Sequence, residues 1–109
     1  MITWGDFEKI DIRAGTILEA KEFAKAKKPA YKLTIDFGPL GIKQSSAQLT
    51  KLYPVESLAG KQIIAVVNFP PKQIANFFSE CLVLGIYNEN NDVVLLQPEQ
   101  QVNNGDKLG

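Results

Sequence analysis

Apolar and polar residues alternate through much of this chain, which is the pattern of strands with one buried face. Tyr31, Leu33, Ile35 and Phe37 alternate with Lys32, Thr34 and Asp36, predicting a half-buried strand. Ile10, Ile12 and Ala14 alternate with Asp11 and Arg13 in the same way, and Gly15 offers a bend before the strand resumes through residues 16–20. A long first strand bent at a glycine is a device for closing a barrel.

Residues 61–84 carry the densest apolar pattern. Ile63, Ala65, Val67 and Phe69 fill one face of a strand and Ile64 and Val66 the other, so this strand is expected to be buried on both sides. Pro70 and Pro71 end it, because neither can donate a ladder hydrogen bond. A second buried run is predicted over residues 81–86. The loop between the two runs, KQIANFFSE, is anchored at both ends and can present a surface with little entropy left to lose. Phe77 and Phe78 are adjacent and do not both turn inward, so one of them is expected at the surface.

Helical signals are short. Thr3 can cap a helix through Trp4, Asp6, Phe7 and Glu8. Ala47, Leu49, Leu52 and Tyr53 have helical spacing, with Ser45 or Ser46 as cap and Pro54 near the end. Gly38-Pro39-Leu40-Gly41 is a turn by composition and leads into the return strand of a hairpin. Residues 88–92 form a polar hairpin turn before Val93, Val94, Leu95 and Leu96, and the tail holds a second polar turn at Asn103-Asn104-Gly105-Asp106. Five or six strands with one helix after the third predict an all-β fold, a five-stranded Greek-key OB-fold barrel with short helices, as one domain over residues 1–109.

Composition narrows the chemistry. Lysine and arginine number 12 against 12 aspartates and glutamates, so the molecule as a whole supplies no positive field and any nucleic-acid contact must come from a local patch. Residues 21–32 are lysine-rich and read as a solvated surface loop. There is no histidine, and the single Cys81 lies inside an apolar run without a partner, so no catalytic residue, metal ligand or cofactor is expected and the chain is not read as an enzyme. The acidic and amide residues at 88–92 lack the spacing and glycine of a calcium loop. The first residues lack a signal peptide's apolar centre and no apolar run is long enough to span a membrane, which predicts a cytoplasmic protein without membrane insertion.

Several motifs carry a family resemblance: Asp11-Ile12-Arg13-Ala14-Gly15-Thr16-Ile17, Ile35-Asp36-Phe37-Gly38, Val67-Asn68-Phe69-Pro70-Pro71 and Ser79-Glu80. On these the chain resembles the tRNA-binding OB-fold domain family, which includes appended domains of methionyl- and tyrosyl-tRNA synthetases. Residues 41–50, GIKQSSAQLT, and 65–71, AVVNFPP, resemble the CsaA export-chaperone branch of that family. The resemblance implies a cytoplasmic homodimer that binds unfolded or precursor polypeptides and assists their export without ATP, with the export translocation ATPase as a further partner. The alternative it leaves open is a tRNA-binding module. Lys72-Gln73 and Asn76 stand where RNA-binding relatives carry arginine and glycine, which removes planar forks for phosphate.

Three sets of site residues follow. For polypeptide the candidates are Phe69, Lys72, Gln73, Ile74, Phe77 and Phe78, an apolar patch with a polar rim. For RNA the resemblance implies Lys43, Ser45, Ser46, Asn68, Lys72 and Ser79, where lysines and small polar groups suit phosphate and 2′-OH contacts. For the dimer seam they are Trp4, Phe7, Leu95, Leu96, Pro98 and Val102, which a small barrel leaves without an obvious core partner.

Overall fold

The computed structural model describes residues 1–109. A short helix α1 (Trp4–Glu8) precedes nine strands: β1 (Ile12–Glu22), β2 (Tyr31–Asp36), β3 (Ile42–Ala47), β4 (Gln62–Val66), β5 (Lys72–Ile74), β6 (Phe77–Ser79), β7 (Leu82–Val83), β8 (Gly85–Tyr87) and β9 (Val93–Leu95). The main sheet has five antiparallel strands in the order β3-β2-β1-β4-β7, and β5-β6 and β8-β9 are separate hairpins. This is the nearly closed OB-type barrel that the alternation predicts.

Strand β1 makes the sheet curl by changing partners. Its first half, Ile12 to Thr16, pairs with β4, and its second half, from Thr16 to Glu22, pairs with β2. A register shift between Ile17 and Glu19 marks the bulge, so the break lies at Leu18 rather than at the expected Gly15. Gly15 instead makes room for packing, because a Cβ there would lie 2.7 Å from Cδ1 of Phe37, whose ring fills the barrel interior. The core around it comprises Ile17, Leu33, Ile35, Phe37, Leu58 and Ile63, all inaccessible to solvent, and β2 shows the predicted inward and outward alternation from Tyr31 to Phe37.

The barrel seam is closed by side chains as well as backbone. The Glu80 amide donates to the Gln44 carbonyl at 2.8 Å, and the Gln44 amide donates to Glu80 Oε1 at 2.9 Å. One residue on, the Ser45 hydroxyl donates to the Cys81 carbonyl at 2.9 Å. The tail returns along β1: Ala14 donates to Asp106, Gly105 to Ala14 and Leu108 to Ile12. Asn104 Oδ1 accepts from the Thr16 hydroxyl at 2.7 Å, fixing the polar turn the sequence predicts.

Three expected elements differ. Thr3 caps α1 as predicted, with a reciprocal bond to Asp6, but no α-helix follows β3; the helical segment before β4 is a 3-10 turn at Val55–Ser57, beyond Pro54. Ser45 and Ser46 lie within β3, and only six residues separate Ala47 from Pro54, so the helical spacing produces a single turn in which the Tyr53 amide donates to the Leu49 carbonyl at 3.2 Å. The run at 81–86 is not buried throughout: Cys81 is, while Leu82 is 48% and Ile86 60% exposed. Likewise β4 ends at Val66, and Phe69 is 53% exposed instead of filling an inner face.

Candidate functional site

Residues 81–85 of the 81–86 run line a groove of about 440 Å³ between the β5-β6 hairpin, the end of β3 and the β7-β8 segment, with the exposed Ile86 outside it. Ile74, Leu82, Val83, Leu84, Tyr87 and Val93 form its apolar walls, and Ser46, Gln48, Lys72 and Ser79 supply polar groups. The hairpin wall is tied to the barrel: the Ser46 amide donates to the Ser79 hydroxyl at 3.1 Å, and that hydroxyl lies 3.3 Å from the Cys81 carbonyl it donates to. On the same face of the hairpin as Ile74, Phe77 packs edge-on against Phe23 with ring centres 5.3 Å apart. The Lys32 ammonium lies over both rings, 4.8 Å from the centre of Phe23 and 5.3 Å from that of Phe77. The hairpin tip is Ala75-Asn76, with Ala75 at φ +55°, a left-handed conformation that costs a non-glycine residue energy.

The groove gathers only part of the sequence-predicted sets. Lys72 and Ile74 of the polypeptide set line it. Gln73 and Phe78 are cross-strand partners on the other face of the hairpin, where Phe78 is half exposed. Phe77 is 8% exposed and belongs to a small core with Phe23 and Ala30, which removes it from a binding surface. Phe69 is exposed but lies outside the groove lining, in the segment after β4.

Of the RNA set, Ser46, Lys72 and Ser79 meet in the groove. Ser45 is 1% exposed, its hydroxyl committed to Cys81, so it cannot contact a ligand. Lys43 shares its strand parity with Ser45 and projects away from Ser46. Asn68 is spent internally: its Oδ1 accepts from the Asp11 amide at 3.0 Å and its Nδ2 donates to the Lys9 carbonyl at 2.7 Å. In the dimer set, Trp4 is strongly exposed and Val102 moderately so, while Phe7, Leu96 and Pro98 are half-buried. Leu95 is 8% exposed and packs in the chain's own core, so it has no face to offer a partner.

Leu82, Tyr87 and Val93 were not legible as site residues, because an apolar run of this length reads as core. Gly85 was the available signal: a Cβ there would meet the Val94 carbonyl oxygen at 2.9 Å, which marks close approach of backbones and not a continuous buried strand.

Electrostatics at the seam argue against thiol chemistry. Burial pushes the Cys81 thiol up from 9.0 to about 11; the Ser45 hydrogen bond and the Lys43 charge oppose this, and Glu80 adds to it. A neutral, buried thiol is a poor nucleophile. No group of three or more acidic, histidine or cysteine side chains is placed to hold a metal ion.

Comparison with known proteins places this geometry. A family model described as "Putative tRNA binding domain" matches residues 12–107. Chaperone CsaA of Bacillus anthracis superposes with a TM-score of 0.95 at 56% identity, covering 100% of this chain and 99% of that one. CsaA of Picrophilus torridus gives 0.94 at 56% identity with both chains fully covered. The methionine–tRNA ligase of Methanococcoides burtonii is 37% identical over 105 residues, and the chain spans 15% of that enzyme's length. The chain belongs to the tRNA-binding domain family of OB-fold proteins. Within it, the chain belongs with the CsaA chaperones.

Proposed function

We propose that this chain is a chaperone that holds unfolded or precursor polypeptides in the groove between the β5-β6 hairpin and the β7-β8 segment. The observation that carries this reading is the groove's apolar wall: Leu82 and Tyr87, 48% and 72% exposed, line one concave surface together with Ile74, Val83, Leu84 and Val93, and contiguous apolar patches of this kind mark binding surfaces. The likeness to CsaA proteins over the full chain supports it. In this account binding needs neither ATP nor catalysis, the protein acts in the cytoplasm as a homodimer with one groove per protomer, and its clients are delivered for export, with the translocation ATPase as receiver.

A second reading has its own support. The family model is a tRNA-binding one, and Ser46 and Lys72 offer a hydroxyl and a cation to a ribose-phosphate chain, while the Ser79 hydroxyl is held by the Ser46 amide and the Cys81 carbonyl. A neutral net charge limits such binding to a weak, salt-sensitive kind.

The test is titration of the purified protein with a labelled unfolded polypeptide and with tRNA, each across a salt series. Polypeptide binding that persists at high salt supports the groove as an apolar site. Tight tRNA binding that collapses with salt, without polypeptide binding, would replace it with the RNA reading.

A further inference from the structure

The groove does not end at Tyr87. A second cavity of about 350 Å³ adjoins it and shares Gln48, Leu49, Tyr87 and Val93 with it. Its far wall is Lys28, from the loop after β1, and Lys51, from the turn after β3, both exposed. The two cavities form one trough with a sequence of surfaces along it: Lys72 at one end, apolar side chains from β7 to β9 in the middle, and Lys28 with Lys51 at the other end. Asp92 is the one acidic residue in the linings of the two cavities. The chain's net charge is zero, so this excess of cations is local to the trough.

Charge complementarity therefore selects the occupant. Resting on the reading that the groove takes polypeptide, we propose that the trough binds an extended segment with an apolar centre and acidic side chains on both flanks. An extended chain fits because a trough presents its surfaces in succession, and side chains on one face of an extended peptide repeat at ~6.4–6.8 Å. The centre packs against Leu82 and Tyr87, and carboxylates on the flanks meet Lys72 at one end and Lys28 and Lys51 at the other. Segments with basic flanks face like charge at both ends and are disfavoured. An RNA strand would use the same lysines and stack a base on Tyr87, but would leave Leu82, Val83 and Leu84 without a complement, which favours polypeptide.

The experiment measures anisotropy of labelled peptides that share one apolar centre and carry acidic, glutamine or basic flanks, with the full chain, at low and high salt. Exposed charge pairs are individually weak, so the acidic peptide is expected to bind several-fold more tightly than the glutamine peptide at low salt, with the gap closing at high salt. Lys28→Glu with Lys51→Glu, both at exposed positions that leave the core intact, is expected to invert the ranking of acidic and basic peptides. Equal binding of all three peptides would overturn the charge assignment while leaving the polypeptide reading standing. Failure of every peptide to bind would remove that reading itself. Loss of tRNA binding in the double variant with an unchanged peptide ranking would assign these lysines to RNA and overturn the proposal.

Discussion

The Lys32 ammonium lies 5.3 Å from the centre of the Phe77 ring, and through it β2 holds the hairpin that walls the groove. Lys32 caps both Phe77 and Phe23, so one cation braces two aromatic rings from different segments. Replacing it with methionine keeps an unbranched side chain one atom shorter and removes the charge. A cation–π contact of this kind is worth ~0.5–1 kcal/mol. Lys32→Met is expected to lower global stability by about that amount and to speed amide exchange in residues 72–79 more than elsewhere, as read by hydrogen exchange. Uniform exchange across the chain would show that Lys32 does not hold the hairpin.

Cys81 links stability to alkaline pH. Its folded-state value of about 11 lies above the ordinary 9.0, so the unfolded chain loses this proton first. The stabilisation is complete below pH ~9 and is lost as pH rises through ~11, with an amplitude of about 2–3 kcal/mol. Urea titrations at pH ~8, ~10 and ~11.5 are expected to show that loss in wild type and a smaller one in Cys81→Ala.

Gly15 lies beneath the Phe37 ring with no room for a methyl group, since a Cβ would come within 2.8 Å of Ile35 Cγ2 as well. Gly15→Ala is expected to cost about 1–3 kcal/mol through overpacking, measured by urea unfolding. A neutral result would mean that β1 and β2 can separate locally without penalty.

Asn68 clasps the segment that carries α1 onto the barrel by its bonds to Lys9 and Asp11. Asn68→Ala is expected to destabilise by about 1–2 kcal/mol and to free residues 1–11 for proteolysis. Trp4 sits on that segment and is 82% exposed. If α1 forms the proposed dimer seam, Trp4→Glu yields a monomer on size-exclusion chromatography, and an unchanged elution volume in a dimeric wild type would place the seam elsewhere.

Most of the fold was readable because alternation is strong where one face of a strand meets the core. Tyr31 to Phe37 is the clearest case, and its inward residues are those found buried. Legibility failed where tertiary context overrides local pattern. Leu49 and Tyr53 have helical spacing, but β3 takes the serines that would cap a helix, and one turn is all that remains before Pro54. The site was half legible: Lys72, Ile74, Ser46 and Ser79 come together, yet Leu82 and Tyr87 look like core in sequence because their exposure depends on β7 being a two-residue edge strand and β8 belonging to a separate hairpin. Ser45 and Ser46 are neighbours with opposite fates for the same reason, since strand parity turns one hydroxyl into the seam and leaves the other at the groove.

The most direct measurement of the central claim is the map of backbone amide chemical shifts as an unfolded polypeptide segment is titrated into the labelled protein. The account predicts perturbations concentrated at Ser46, Gln48, Lys72, Ile74, Leu82 and Tyr87, and their loss in Leu82→Glu. Perturbations centred instead on the far side of the barrel, around Arg13 and the tail bound to β1, with the groove amides unmoved, would contradict it.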